Sequence, residues 1–177
     1  MVGYVTNASH NEWADGGVKH AQEAYPKMKL LEAEPRVEST DNAEGAYQAA
    51  KELLKKYPDL KGIMGTSSFD APGVARAIDE LGLKGKVFTS GTGMPATNKD
   101  ILDRDLVSAL TLWDPADAGY AMASLATKIL NGEEIKDGVD LGVPGYEEMH
   151  FAAGSDKVLQ GKSWVTITKD NVDDFGF

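Results

Sequence analysis

The stretch GIMGTSSFDAPGVARAIDELGL, residues 62–83, contains the unit from which the fold is predicted. Gly62–Gly65 is typical of a short buried strand, and the polar residues after it lead into a helix predicted over Asp70–Leu81. Pro72 lies in the first turn of that helix and Gly82 ends it, as these residue types favour. A strand followed by a helix predicts a crossover connection and therefore a parallel sheet.

The same alternation extends in both directions along the chain. Further strands are predicted at Val2–Thr6, Met28–Glu32, Lys86–Thr89, Leu106–Leu112 and Lys162–Ile167. Further helices are predicted at Asn11–Tyr25, from a capping-box-like start at Asp41 and Glu44 to Pro58, at Pro115–Leu130, and as a terminal turn over Lys169–Phe175. We therefore expect an α/β fold, with a doubly wound parallel sheet in a Rossmann-like, three-layer arrangement.

Composition excludes several classes of function. The 177 residues carry a net charge of −10, which leaves no basic face for nucleic acid or an anionic membrane. The absence of cysteine excludes a disulfide framework and a thiol nucleophile. No apolar run approaches the roughly 18 residues of a membrane helix. No signal peptide is expected, because a strand is predicted directly after Met1.

Catalysis and metal binding are not predicted either. The three histidines, His10, His20 and His150, lack the spacing of a metal site. Ser9 and His10 are neighbours in sequence, a spacing that rarely produces nucleophile–base geometry, and the chain has no G-x-S-x-G motif. We therefore expect a protein that is not an enzyme and needs no cofactor.

Ligands of open α/β sheets bind beyond the carboxyl ends of the strands. The predicted loops there combine short hydroxyl or amide side chains with an aromatic residue, a histidine or a methionine, and no Lys or Arg is expected at these edges. That mixture suits a polyhydroxylated ligand, whose hydroxyls form hydrogen bonds while its C–H faces stack on rings. The loops are Asn7–Asn11, Thr66–Asp70, Ser90–Met94 and Trp113-Asp114.

Structural roles compete with ligand binding at these positions. Ser67, Ser68 and Asp70, taken alone, favour a role as caps of the helix that follows them, and Asp114 is well placed to cap the helix at Pro115. Core packing and ligand contact are equally compatible with the position of a tryptophan on the first helix, Trp13. The Gly91-Thr92-Gly93 triplet is compatible with a turn and lacks the full dinucleotide-binding fingerprint.

Four segments carry a resemblance to a known family. They are VGYVTNASHNEWADGGVKHAQEAYP (2–26), GIMGTSSFDAPGVARAIDELGL (62–83), LWDPADAGYAMASLATKILNGE (112–133) and VTITKDNVDDFGF (165–177). They resemble the sugar-binding proteins of ABC importers, which are type I periplasmic binding proteins, and most of all the rhamnose and autoinducer-2 types. Such proteins hold the sugar between two α/β lobes, and this chain looks like the second half of one.

The resemblance implies a division of the chain. Residues 1–112 correspond to the second lobe, 113–161 to a hinge with a helix and loop of the first lobe, and 162–177 to a strand and turn that return to the second lobe. An apolar stripe on the helix after Pro115 would then lack its usual cover. We expect that helix to fold back on its own sheet or to pair with another copy, as a homodimer or segment-swapped dimer. The stripe comprises Ala118, Ala121, Met122, Leu125 and Ile129.

The resemblance also implies a function. The chain would be the sugar-binding component, or a truncated half of it, of a periplasmic importer system that includes a membrane permease. Its ligand would be a rhamnose-like monosaccharide or autoinducer-2, although autoinducer-2 binders carry Asp-Gln where this chain has Ser9-His10. Many family members also have an aspartate near the position of Thr92, which is missing here. Together, the strand-end loops and the resemblance predict ligand contacts at Ser9, His10, Asn11, Thr66, Ser67, Ser68, Phe69, Thr92, Trp113 and Asp114.

Three other functions are compatible with the same fold. The sensor core of a LacI-type transcription regulator shares it, but would need a helix-turn-helix ahead of the first strand. A nucleotide-dependent Rossmann enzyme would have to use Gly91-Thr92-Gly93 without the basic and acidic partner residues it needs. An inactive folded fragment is the third alternative.

Overall fold

A computed structural model of the protein describes residues 1–31 and 36–177, which form two compact units. The first unit comprises Met1–Thr111 and Thr166–Gly176, and the second comprises Leu112–Val165 with Phe177. In chain order the elements are α1 (Ala8–Ala24), α2 (Ala43–Lys56), β1 (Gly62–Gly65), α3 (Asp70–Glu80), β2 (Phe88–Thr92), α4 (Pro95–Asp103), β3 (Ala109–Leu112), α5 (Pro115–Leu130), β4 (His150–Phe151), β5 (Leu159–Gln160), β6 (Val165–Ile167) and a 3₁₀ turn (Val172–Asp174).

The main sheet has the order β1-β2-β3-β6. Gly62–Gly65 of β1 pairs in parallel with Phe88–Gly91, and β2 pairs in parallel with β3. Helices alternate with these strands along the chain, since α3 joins β1 to β2 and α4 joins β2 to β3. The predicted α/β class and parallel sheet are confirmed.

Beyond β1 the sheet continues through two short extended segments. The Met1 nitrogen donates to the Met64 carbonyl, and Val2 forms a parallel bridge with Glu38. The strand predicted over Val2–Thr6 is therefore reduced to its beginning, because the chain turns at Tyr4 and α1 already starts at Ala8.

The strand predicted over Met28–Glu32 is wrong for residues 28–31, which are irregular, and Glu32 lies outside the described residues. The sheet partner is instead Val37–Ser39, whose backbone exchanges hydrogen bonds with Val2. A short apolar run alone therefore did not locate the strand, because the position of a strand also depends on which segment can pair with the sheet.

Strand boundaries also differ from prediction further along the chain. β2 ends at Thr92 rather than Thr89, so Gly91 and Thr92 belong to a strand and not to a turn. A Cβ on Gly91 would lie 2.4 Å from the carbonyl oxygen of Gly65, so this glycine permits close approach of β1 and β2. The predicted final strands shorten to β3 and β6, and the helix α4 was not predicted at all, although Pro95 at its first turn is a start signal.

Helices α2 and α3 pack tightly on each other. A Cβ on Gly73 of α3 would lie 2.5 Å from the Cβ of Ala46 and 2.6 Å from the Ala43 carbonyl oxygen. Ala46, Val74 and Ile78 are buried at this face. The N-cap of α2 is Asn42, whose side-chain oxygen accepts from the Gly45 N–H, so the capping role predicted for its neighbour Asp41 is wrong.

In the second unit, α5 has the predicted bounds and part of its apolar stripe is covered. Ala121 is buried with Leu141, Val143 and Met149, which belong to the segment after the helix. Part of the stripe is thus covered by a segment of the same unit, which the sequence analysis did not predict. Met122 and Ile129 remain 69% and 56% exposed.

Near β4, a hydrogen bond with His150 lowers the pKa of Asp137. In the described ranges no helix has the length and apolarity needed to cross a membrane.

The α2–α3 contact leads to a stability prediction. Gly73→Ala should lower the free energy of unfolding by about 1–3 kcal/mol, because the added methyl group meets backbone atoms that cannot move easily. The matched control is Gly16→Ala in α1, where nothing lies within 4 Å of the new Cβ. That change should leave stability unchanged or raise it by up to about 1 kcal/mol. Urea unfolding of both variants tests this, and equal effects would contradict the packing argument.

Candidate ligand-binding site

The first predicted contacts lie in the first turn of α1 rather than in a loop. Asn7 caps this helix by accepting from the His10 N–H, and Ser9 is exposed. The Asn11 amide donates to the carbonyls of Asn7 and Val5, so this side chain holds the entry to the helix. Of the three predicted contacts, Ser9 and His10 have polar side-chain atoms that are not engaged in the hydrogen bonds at the start of this helix.

The His10 ring has a defined orientation. Its Nδ1 accepts from the Gly3 N–H at 3.2 Å, and the ring lies 5.7 Å from the ring of Trp13. In a neutral imidazole only one nitrogen carries a proton, so this hydrogen bond assigns the proton to Nε2. His10 can therefore donate from Nε2 to a ligand.

The loop after β1 is built on a buried carboxylate. Asp70 is fully buried, and its Oδ2 accepts from the backbone N–H groups of Thr66 and Ser67, each at 3.0 Å. Within the part of the chain that the structure describes, its Oδ1 has no hydrogen-bond partner. Thr66 and Ser67 are buried as a result, whereas Ser68 and Phe69 are exposed. Asp70 thus supports the loop and does not cap α3: the N-cap of that helix is Phe69, without a side-chain capping bond, so the capping alternative for Ser67, Ser68 and Asp70 is wrong.

A carboxylate that sequence reasoning placed elsewhere joins this loop. The Ser67 hydroxyl donates to Oδ1 of Asp41 at 2.5 Å. A Cβ on Gly3 would lie 2.8 Å from the same oxygen and 3.0 Å from Nδ1 of His10. Three loops that follow neighbouring strands therefore converge at one point, and we call Gly3, His10, Asp41 and Ser67 the Gly3 cluster. No sequence signal marked Asp41 as a site residue, because only the structure shows that the segment before it pairs with Val2.

The remaining predicted contacts lie outside the Gly3 cluster. Thr92 ends β2 and is buried. Trp113 and Asp114 belong to the second unit, where the Trp113 ring meets Trp164 edge-on at 5.6 Å. Oδ1 of Asp114 accepts from the backbone N–H groups of Ala116 and Asp117, which confirms the capping alternative. Asp114 and Trp164 also line a groove of about 220 Å³ in that unit.

A basic residue, Arg36, precedes the segment that pairs with Val2, and its side chain reaches the first turns of α1. The Arg36 guanidinium donates to the backbone and side-chain oxygens of Asn11 at 3.0 and 2.9 Å, and forms an ion pair with Asp15. Its charge is therefore compensated and its donors are engaged within the protein. A phosphate ligand would have to displace these contacts, whereas a neutral ligand would not.

A family comparison matches residues 1–134 with the periplasmic binding protein domain. The chain belongs to the periplasmic binding protein family. Its parallel sheet and the alternation of helices along it agree with that assignment.

Solved structures with the same fold include solute-binding proteins of ABC transporters. A sugar ABC transporter protein from Actinomyces odontolyticus is 26% identical with a TM-score of 0.75, over 99% of this chain and 56% of that one. LsrB from Clostridium saccharobutylicum, in complex with AI-2, is 23% identical with a TM-score of 0.73, over 94% and 55%. A solute-binding protein from Clostridium phytofermentas with bound L-rhamnose is 21% identical with a TM-score of 0.72, over 93% and 54%. The chain therefore spans about half the length of these structures.

The buried carboxylate under the loop leads to a second prediction. Asp70→Ala should lower the free energy of unfolding by about 2 kcal/mol or more, because two buried N–H groups lose a charged acceptor. The amide signals of Thr66 and Ser67 should shift strongly in a ¹H–¹⁵N spectrum. Asp59→Ala, at an exposed turn, serves as the matched control and should change neither. Unchanged amide signals in Asp70→Ala would show that the carboxylate does not hold the loop.

Proposed function

We propose that this chain is the sugar-binding part of a solute-binding protein of an ABC importer and that it is not an enzyme. The proposed ligand is a rhamnose-like monosaccharide or autoinducer-2. The observation that carries the proposal is the Gly3 cluster, in which hydroxyl, imidazole and carboxylate groups meet at the carboxyl edge of the sheet. This edge is the general ligand position of open α/β sheets.

The chemistry of this edge supports a neutral, hydroxylated ligand. Ser9 and Ser68 are exposed there, and Phe69, which follows Ser68 in sequence, exposes 46% of its surface. Polar groups of this kind bind hydroxyls, while an exposed ring stacks on the C–H faces of a sugar. The compensated charge of Arg36 argues against a phosphorylated ligand.

The transport cycle is proposed for a protein that contains both halves of the binding cleft. In that protein residues 1–112 and 162–177 would form one lobe, and residues 113–161 a hinge with part of the other lobe. A ligand that contacts both lobes shifts the equilibrium from open to closed, and the closed form would dock on a membrane permease outside the cytoplasm. This chain supplies only part of the contacts, so its own affinity should be low.

Calorimetry with L-rhamnose tests the proposal. We expect saturable heat at millimolar sugar, which His10→Ala should abolish because it removes the Nε2 donor. Glu52→Gln, on the exposed side of α2, is the control and should bind as the unmodified chain does. A cooperative unfolding transition shows that the chain is folded. If the folded chain gives no heat with L-rhamnose, that result would contradict sugar binding by this half alone.

The exposed side of α5 leads to a separate prediction about assembly. Met122, Ile129 and Leu130 present a broad apolar surface, and we propose that it pairs with the same surface of a second copy. Sedimentation at rising concentration should show a dimer. Met122→Glu should shift it to monomer, whereas Lys55→Glu on α2 should not. A monomer at all concentrations would contradict self-association.

A further inference from the structure

The Ser67 hydroxyl is committed within the protein. A serine has a single hydroxyl proton, and Ser67 donates it to Oδ1 of Asp41 at 2.5 Å. Its oxygen also accepts from the Phe69 N–H at 3.3 Å, and the residue is fully buried. A ligand that took its hydrogen bond from Ser67 would have to break the bond to Asp41. Ser67 therefore acts on Asp41 and not directly on a ligand.

Asp41 is not used for helix capping. Asn42, the next residue, accepts from the Gly45 N–H and is the N-cap of α2. Asp41 is exposed, and among the described residues it forms no ion pair and no donor reaches its Oδ2. One carboxylate oxygen is thus held by a buried donor while the other is left for solvent or ligand.

The backbone around Asp41 is held in an unusual conformation. Thr40 and Asp41 have φ values of 53° and 52°, a left-handed region that β-branched residues such as threonine rarely adopt. The Thr40 carbonyl accepts from the hydroxyl of Tyr4 and from the Asn42 amide, which stabilises this turn. The turn brings the Asp41 carboxylate next to Gly3 and to the ring of His10.

The two groups beside Gly3 complement each other. His10 donates from Nε2, since its Nδ1 accepts from Gly3, and the Asp41 carboxylate only accepts. A sugar hydroxyl both donates and accepts, so a pair of neighbouring hydroxyls would satisfy one donor and one acceptor. Hydrogen bonds to a carboxylate are also stronger than those between neutral groups.

We propose that Asp41 is a ligand-binding carboxylate, which accepts a sugar hydroxyl proton at Oδ2, and that Ser67 is its positioning residue. This inference rests on the proposed sugar-binding function and names the group that would determine which hydroxyl pattern is accepted. It also assigns Ser67 a different role from the direct contact that sequence reasoning expected.

The test is a ¹H–¹⁵N titration with L-rhamnose of the unmodified chain, Asp41→Asn, Ser67→Ala and the double variant. Asp41→Asn should weaken binding about tenfold or more, because the charged acceptor is lost. Ser67→Ala should weaken it less, and should have no further effect in the Asp41→Asn background. Such non-additivity is expected only if Ser67 acts through Asp41. Asp59→Asn, at an exposed turn, is the matched control and should bind normally.

Each alternative outcome has a separate meaning. Binding by Asp41→Asn at the affinity of the unmodified chain would overturn the role of Asp41 and leave sugar binding standing. Additive effects of the two substitutions would overturn the positioning role of Ser67. If no signal shifts with sugar in any protein, the proposed function fails and this inference fails with it.

Asp41→Gly is the second variant, because glycine tolerates the left-handed backbone and removes the side chain. It should fold and lose affinity as Asp41→Asn does. Unfolding transitions of both variants are measured first. Loss of the fold in both would show that Asp41 serves structure rather than ligand binding, and would also overturn the proposal.

Discussion

The close approach of the backbone at Gly65 is the constraint on which the first unit depends. A Cβ there would lie 2.1 Å from the Cβ of Asp70, and the carbonyl oxygen of Gly65 lies 2.4 Å from where a Cβ on Gly91 would be. Strands β1 and β2 and the start of α3 therefore meet without side chains between them. This contact brings Asp70 under the loop after β1, where its carboxylate binds two backbone N–H groups. Any side chain at Gly65 would separate the sheet from the loop that carries the site.

A chain of hydrogen bonds extends from this buried contact to the surface. Asp70 orients Ser67 through its backbone, and Ser67 holds Asp41 through its hydroxyl. The proposed site therefore has a buried base and an exposed end, an arrangement that would keep binding groups rigid without burying a charge that faces the ligand. In the proposed transport cycle such preorganisation matters, because part of the binding free energy would be lost if flexible groups first had to become ordered.

In the second unit the main feature is the incomplete cover of an apolar helix. Helix α5 is apolar around most of its circumference, and the segment over residues 139–159 covers only the side that carries Ala121 and Leu125. Tyr120, Met122, Ile129 and Leu130 stay exposed. The residue pattern of this helix matches a position between two packed surfaces, and the described residues supply one of them.

The sequence by itself determined the α/β class and the bounds of β1 and α5, and it predicted the sheet edge at which the proposed site lies. Those features follow from local periodicity, from Gly and Pro at helix ends, and from the rule that parallel strands end at one edge. Only the tertiary structure decided that Val37–Ser39 and not Met28–Leu31 pairs with Val2, and that Gly91 lies inside a strand. It also decided that the Ser67 hydroxyl is engaged by Asp41, whose Oδ2 receives no donor from the described residues, because residues 26 positions apart meet there. Pairings of this kind depend on which segments share space, and no local pattern encodes that.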